Sequence, residues 1–188
     1  MRWSCSVASA ALIAVCAAVP PALHAQRAAG GQPTELTALD YFEIQQLVAR
    51  YARAIDTCSN NGYDYADLFT PDGVFIAMFD GEPAATIQGR ERLAEISGGG
   101  SRGCQDVPWI LQGVRHIYTN HVITPTSEGA SGVVDMLMIG LGGDPNKIEY
   151  DGHYEDVYVR TPQGWRFKQR VHHALLREGE RVTPPSEP

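Results

Sequence analysis

From Asp40 onward, Ile44, Leu47, Val48, Tyr51, Ala52 and Ile55 recur every three or four positions, which predicts a long amphipathic helix with one buried stripe. Thr57-Cys58-Ser59-Asn60-Asn61-Gly62 ends it with residues that favour turns and left-handed backbone. The pattern then predicts a short second helix over 63–69, a buried strand over 74–79 and a turn at Asp80-Gly81-Glu82-Pro83. A short strand near 86–88 and a third helix over 89–97 follow, halted by Gly98-Gly99-Gly100. From Val114 the apolar period changes to two, the spacing of a half-buried strand. Four long strands are expected over 114–125, 130–141, 148–160 and 165–176. Their connectors, Thr126-Ser127-Glu128-Gly129, Gly142-Gly143-Asp144-Pro145-Asn146 and Thr161-Pro162-Gln163-Gly164, have hairpin-turn composition. Three helices followed by a bent antiparallel meander make an α+β layout, with the helices on one face of the sheet and a cavity expected between them.

The chain ends read differently. Arg2 precedes an apolar run from Val7 to Val19, closed by Pro20-Pro21-Ala22-Leu23-His24-Ala25. That is the pattern of a secretory signal peptide over 1–25, cleaved after Ala25. The run is shorter than the roughly 20 residues that span a bilayer, and the bulky Val15 before Cys16 does not suit a lipoprotein cleavage site. Residues 26–35 read as a flexible leader, 36–177 as one domain, and 178–188 as a polar, Pro-rich disordered tail. A periplasmic or secreted protein is expected.

Charge narrows the partners. The 188 residues hold 15 basic and 22 acidic side chains, a formal charge of −7, and removing Arg2 with the signal takes it to −8. Without a basic stripe, neither nucleic acid nor anionic lipid is an expected partner, and no membrane contact is expected once the signal is removed. Cys5 and Cys16 leave with the signal, so Cys58 and Cys104 remain, and in an oxidising compartment they are expected to form one disulfide.

Asp56 is the first candidate for chemistry. It follows Ile55 on the buried side of the first helix, at the C-terminal end, where the helix dipole disfavours a carboxylate. His116 is the second. Strand alternation puts His116, Tyr118 and Asn120 on one face and His121 on the other with Ile117 and Ile123. A carboxylate that fixes an imidazole's tautomer makes an acid/base pair titrating near neutrality. His153, with Glu155 and Val157 on its face, is the third. Tyr51 and Tyr65 are phenols near the expected pocket mouth, able to donate to a developing oxyanion. Tyr51 lies about 140° from Asp56 on an ideal helix, so sharing a cavity would need a distorted last turn. Arg170 could bind a carboxylate or phenolate, or merely solvate its strand; parity cannot decide this without knowing of a bulge. No two candidate histidines stand at short ligand spacing on one element, and the adjacent His172 and His173 point to opposite faces, so no metal site is expected.

Tyr51-x4-Asp56, Leu68-Phe69-Thr70-Pro71-Asp72-Gly73-Val74, Gly89-Arg90-Glu91, Arg115-His116-x3-Asn120, Gly152-His153-Tyr154-Glu155-Asp156 and Gly164-Trp165-Arg166 occur in order along 36–176. Together they resemble the SnoaL-like branch of the NTF2-like superfamily. The resemblance implies a cone of three N-terminal helices on a strongly curved, mostly antiparallel sheet, commonly a homodimer or homotrimer. Scytalone dehydratase has an Asp ending its first helix, a His starting its long strands and a second His on the following sheet. Asp56, His116 and His153 hold similar places. Bile-acid dehydratase has a Tyr five residues before its Asp, as Tyr51 stands to Asp56. The resemblance implies a cofactor-independent lyase acting on a small apolar, aromatic or polycyclic, hydroxylated molecule. Its expected reaction is dehydration, or retro-aldol carbon–carbon cleavage such as formaldehyde release from lignin-derived diaryl compounds. Catalysis would fall to Asp56, His116 and Tyr51, and substrate binding to Tyr65, His153, Asn120 and Arg170. An isomerase like ketosteroid isomerase, an epoxide hydrolase and a non-catalytic periplasmic binding protein are the alternatives the superfamily also implies.

Overall fold

The computed structural model describes residues 35–79, 81–104, 113–140 and 148–175, all within one compact unit, Gln32–Pro188. The expected signal peptide, almost all of the expected leader, the tail expected to be disordered and the connector at 142–146 lie outside the described residues.

Helix α1, Ala38–Thr57, starts in a capping box: Thr37 Oγ1 accepts the Asp40 N–H and the Thr37 N–H donates to the Asp40 carboxylate at 2.9 Å. Asp40 also accepts from Trp165 Nε1 at 3.2 Å and pairs with Arg160, so the cap fastens the helix to the far hairpin of the sheet. The predicted stripe is buried at Ile44, Leu47, Val48, Tyr51 and Ile55, with Ala54 buried in place of the half-buried Ala52 and Asp56 as the last buried position. Cys58, in the left-handed region at φ 48°, caps the helix. Helix α2 is one turn, Tyr63–Ala66, shorter than predicted because Phe69 already pairs with Phe167 as the start of a strand. Helix α3 is Arg90–Ile96.

The strands are β1 (Phe69–Phe79), β2 (Glu82–Gln88), β3 (Arg115–Thr126), β4 (Gly129–Ile139), β5 (Ile148–Thr161) and β6 (Gly164–Leu175). They form a six-stranded sheet in the order β2-β1-β6-β5-β4-β3, antiparallel except for β1 beside β6. Two irregularities decide which side chains face the helices. On β3 the pairing with β4 jumps between Thr119 and Val122, with Asn120 at φ 52°. On β6 it jumps past Lys168, so that Phe167 and Arg170 both point inward. Each extra residue reverses the alternation beyond it. The core between helices and sheet holds Tyr51, Tyr65, Phe69, Tyr154, Tyr158, Trp165 and Phe167. Gly132 makes room for one of these rings, since a Cβ there would stand 2.8 Å from Tyr158. Cys58 and Cys104 are joined in a disulfide, Cα atoms 6.0 Å apart, which ties the end of α1 to the segment after α3.

Candidate active site

Asp56 meets His116 through both carboxylate oxygens. Oδ1 lies 2.5 Å from His116 Nδ1, and Oδ2 accepts the backbone N–H of His116 at 3.1 Å. The side chains are 5% and 6% exposed, so the pair is shielded from bulk water. An ionised carboxylate only accepts, so Nδ1 carries the proton, and in the neutral imidazole Nε2 keeps its lone pair. Asp56 reaches the edge strand β3, while Tyr51 meets Tyr118, Tyr154 and Phe167. The two residues therefore face different parts of one curved sheet, and α1 continues through Thr57 without the distorted last turn that sharing a cavity would need.

His172 shares this inner face. Its ring stacks on Tyr154 with centroids 4.6 Å apart. Burial, then the positive Arg170, push its pKa down to about 3, and His116 is close enough to add to the effect. His172 is therefore a neutral imidazole at ordinary pH. Between the His116 and His172 rows of the sheet runs the row Tyr118–Met136–Gly152–Ala174. Gly152 and Ala174 are the small residues of that row.

Deeper in the cone the interior is filled. Arg170 is wholly buried, with its guanidinium 3.9 Å from the Tyr51 ring centre and 4.0 Å from that of Tyr154. Asp156 faces it at 3.4 Å and accepts from the Tyr158 hydroxyl at 2.6 Å. Since that hydroxyl gives its proton to Asp156, His121 Nε2–H donates to the Tyr158 oxygen, 3.0 Å away. Burial raises the Asp156 pKa to about 6, against Arg170 and Tyr158, which favour its ionised form. Burial and Arg170 lower that of His121 to about 4. Burial opposes the Arg170 charge, yet Asp156 and the surrounding phenols hold it above the ordinary guanidinium range. Burial holds the Tyr51 and Tyr65 phenols far above theirs, so both stay protonated; their hydroxyls lie 3.3 Å apart.

The sequence-selected residues thus divide. Asp56 and His116 come together, whereas Tyr51 is fully buried among Tyr65, Tyr154, Phe167 and Arg170. Tyr65 and Arg170 are part of the packed interior, not a pocket mouth. Asn120 does not share the His116 face: the bulge leaves it exposed, donating to Asp135 at 2.8 Å, and turns His121 inward instead. His153 is on the opposite side of the sheet, because Tyr154, Asp156 and Tyr158 are the β5 residues that point to the helices. Sequence reasoning passed over His172, Asp156 and Tyr158. Alternation from Tyr154 gave a signal for the last two.

Comparison with known proteins comes to the same fold. A family profile described as a SnoaL-like domain matches residues 36–171. An uncharacterized protein of Mycobacterium tuberculosis is 30% identical over 140 residues, covering 70% of this chain and 83% of that protein. An NTF2-like protein with a cystatin-like fold from Novosphingobium aromaticivorans superposes with a TM-score of 0.61 at 22% identity, over 76% of this chain and 84% of that one. A protein from Catenulispora acidiphila, solved in complex with S-DNPA, gives a TM-score of 0.55 at 26% identity, over 73% of this chain and 95% of that one.

Proposed function

This chain belongs to the SnoaL-like domain family, and from that premise we propose that it is a lyase that removes water from a small, largely apolar, hydroxylated aromatic or polycyclic molecule. The observation that carries this reading is the two-oxygen grip of Asp56 on His116. It fixes the tautomer that leaves Nε2 free to take a proton, here from a carbon next to a carbonyl or phenol-type ring. The imidazolium formed is stabilised by Asp56 and returns the proton to the departing hydroxyl, which leaves as water. In this reading the neutral His172 hydrogen-bonds the substrate oxygen that gains charge. This acid/base sequence uses side chains alone and requires no cofactor. Because the deep cone is filled, the substrate sits at the level of His116 and His172, which retain 9% and 8% exposure, over the small residues Gly152 and Ala174.

A small-molecule partner agrees with the S-DNPA held by the Catenulispora acidiphila protein. Export to the periplasm or medium is part of the proposal. It is supported by the Cys58–Cys104 disulfide, a bond that persists in oxidising compartments. Among the described residues no helix is long and apolar enough to cross a membrane.

The test is a mass-change screen of the purified protein against hydroxylated aromatic and steroid-like compounds. Loss of one water supports the proposal, loss of formaldehyde replaces it with carbon–carbon cleavage, and a product of unchanged mass with it isomerisation. Saturable binding without any product makes the protein a carrier.

A further inference from the structure

On the face of the sheet turned away from the helices, three side chains converge that the proposed reaction does not use: His153 and Glu155 of β5 and His173 of β6. One donor atom from each lies within 4.8 Å of the other two. His153 and His173 are direct cross-strand partners, and their rings stack with centroids 4.6 Å apart and planes 7° from parallel. Gly152, just before His153, lets the β5 and β6 backbones run close here, since a Cβ there would stand 2.3 Å from the His173 carbonyl oxygen.

His173 Nε2 lies 3.4 Å from Glu155 Oε2. It is buried and makes no hydrogen bond among the described residues. That separation is long for a hydrogen bond, yet it matches the edge of a metal tetrahedron. Ligand distances of about 2.0–2.1 Å put neighbouring ligand atoms roughly 3.3–3.4 Å apart. Asp135 stands across from His153 in the next strand, held by Asn120, and adds negative charge beside the cluster.

We propose that His153, Glu155 and His173 form a binding site for a borderline divalent transition-metal ion of the Zn²⁺ type. Two imidazole nitrogens and one carboxylate oxygen are the donor set such an ion takes, one ring turning out of the stack so that both in-plane lone pairs meet the ion, and they leave one tetrahedral position for water. The ion neutralises Glu155 and clamps β5 to β6 on the face opposite the Asp56–His116 pair. The site escaped the sequence because its histidines belong to different strands, twenty residues apart, rather than to one element with short ligand spacing.

The experiment is calorimetric titration of ZnCl₂ into the chelator-stripped full chain carrying no histidine tag, with Co²⁺ absorption in the visible as a second readout. One Zn²⁺ per chain is expected, with a tetrahedral Co²⁺ spectrum and a raised Tm. His173→Ala should abolish binding. Glu155→Gln, an isosteric change at an exposed position that leaves folding intact, should weaken it about tenfold or more. His116→Ala should leave it unchanged. Absence of saturable binding, binding untouched by Glu155→Gln and His173→Ala, or binding lost in His116→Ala would each overturn the site.

Discussion

Asp56 holds His116 twice, by the ring at 2.5 Å and by the backbone N–H at 3.1 Å, so one carboxylate fixes both where the imidazole stands and which nitrogen carries its proton. The helix end and the first long strand are thereby joined at the point where chemistry is proposed. Asp56→Asn keeps the shape and one acceptor but cannot stabilise an imidazolium. It is expected to lower kcat/KM by about 10²- to 10⁴-fold, the range for loss of a positioned acid/base function. KM should change little, and circular dichroism should be unaltered.

The disulfide secures the same helix end, because Cys58 is two residues beyond Asp56. Its 46-residue separation corresponds to about 3–4 kcal/mol in the chain-entropy account. For a domain of this size Cys58→Ser with Cys104→Ser should lower Tm by roughly 10 °C. Reduction of the wild type should do the same, measured by calorimetry with and without reductant.

Arg170 and Asp156 are an interior ion pair, 3.4 Å apart and both fully buried. Arg170→Met leaves a buried carboxylate without its counter-charge and should cost about 3–5 kcal/mol in urea unfolding. Adding Asp156→Asn should return most of that loss while still accepting from Tyr158. Additive losses in the double variant would show that the pair is not coupled.

Acid stability follows from the two inward histidines outside the Asp56 pair. Folding depresses His172 from 6.5 to about 3 and His121 from 6.5 to about 4. The unfolded chain therefore binds more protons below pH 6.5, and stability that is complete above that value is lost as pH falls through the folded values. Asp156 acts in the opposite sense: raised from 3.8 to about 6, it favours the fold below 3.8 and loses that contribution as pH rises through 6. The net expectation between pH 6 and 4 is about one proton, a slope of about 1.4 kcal/mol per pH unit. His121→Gln should flatten it, measured by urea unfolding across that window.

Much of this architecture was legible in the chain. The stripe from Ile44 to Ile55 and the later period-two runs are strong signals, and the four long strands fall within a residue or two of their predicted bounds. Asp56 and His116 were legible because His116 precedes the bulge on β3, where alternation still holds. Beyond Thr119 the inserted residue reversed the faces, so Asn120 and His121 exchanged places, and the irregularity at Lys168 did the same for Arg170. An Asn within an alternating strand is the one local sign of such a bulge, since Asn tolerates positive φ. Alternation correctly grouped His153 with Glu155, but it could not say which face of β5 met the helices. The run Tyr154, Asp156, Tyr158 shows why: two aromatics mark a core face while the Asp between them hides it. α2 fell short because Leu68-Phe69 serves the sheet, where tertiary pairing overrides a local helical pattern.

The most direct test needs no substrate: long-range ¹⁵N–¹H NMR of the histidine rings, read at His116. The expected result is a proton on Nδ1, shifted downfield by the Asp56 contact, with Nε2 unprotonated, and loss of that downfield signal in Asp56→Ala. A proton resting on Nε2, or a His116 spectrum indifferent to Asp56→Ala, would contradict the proposed base.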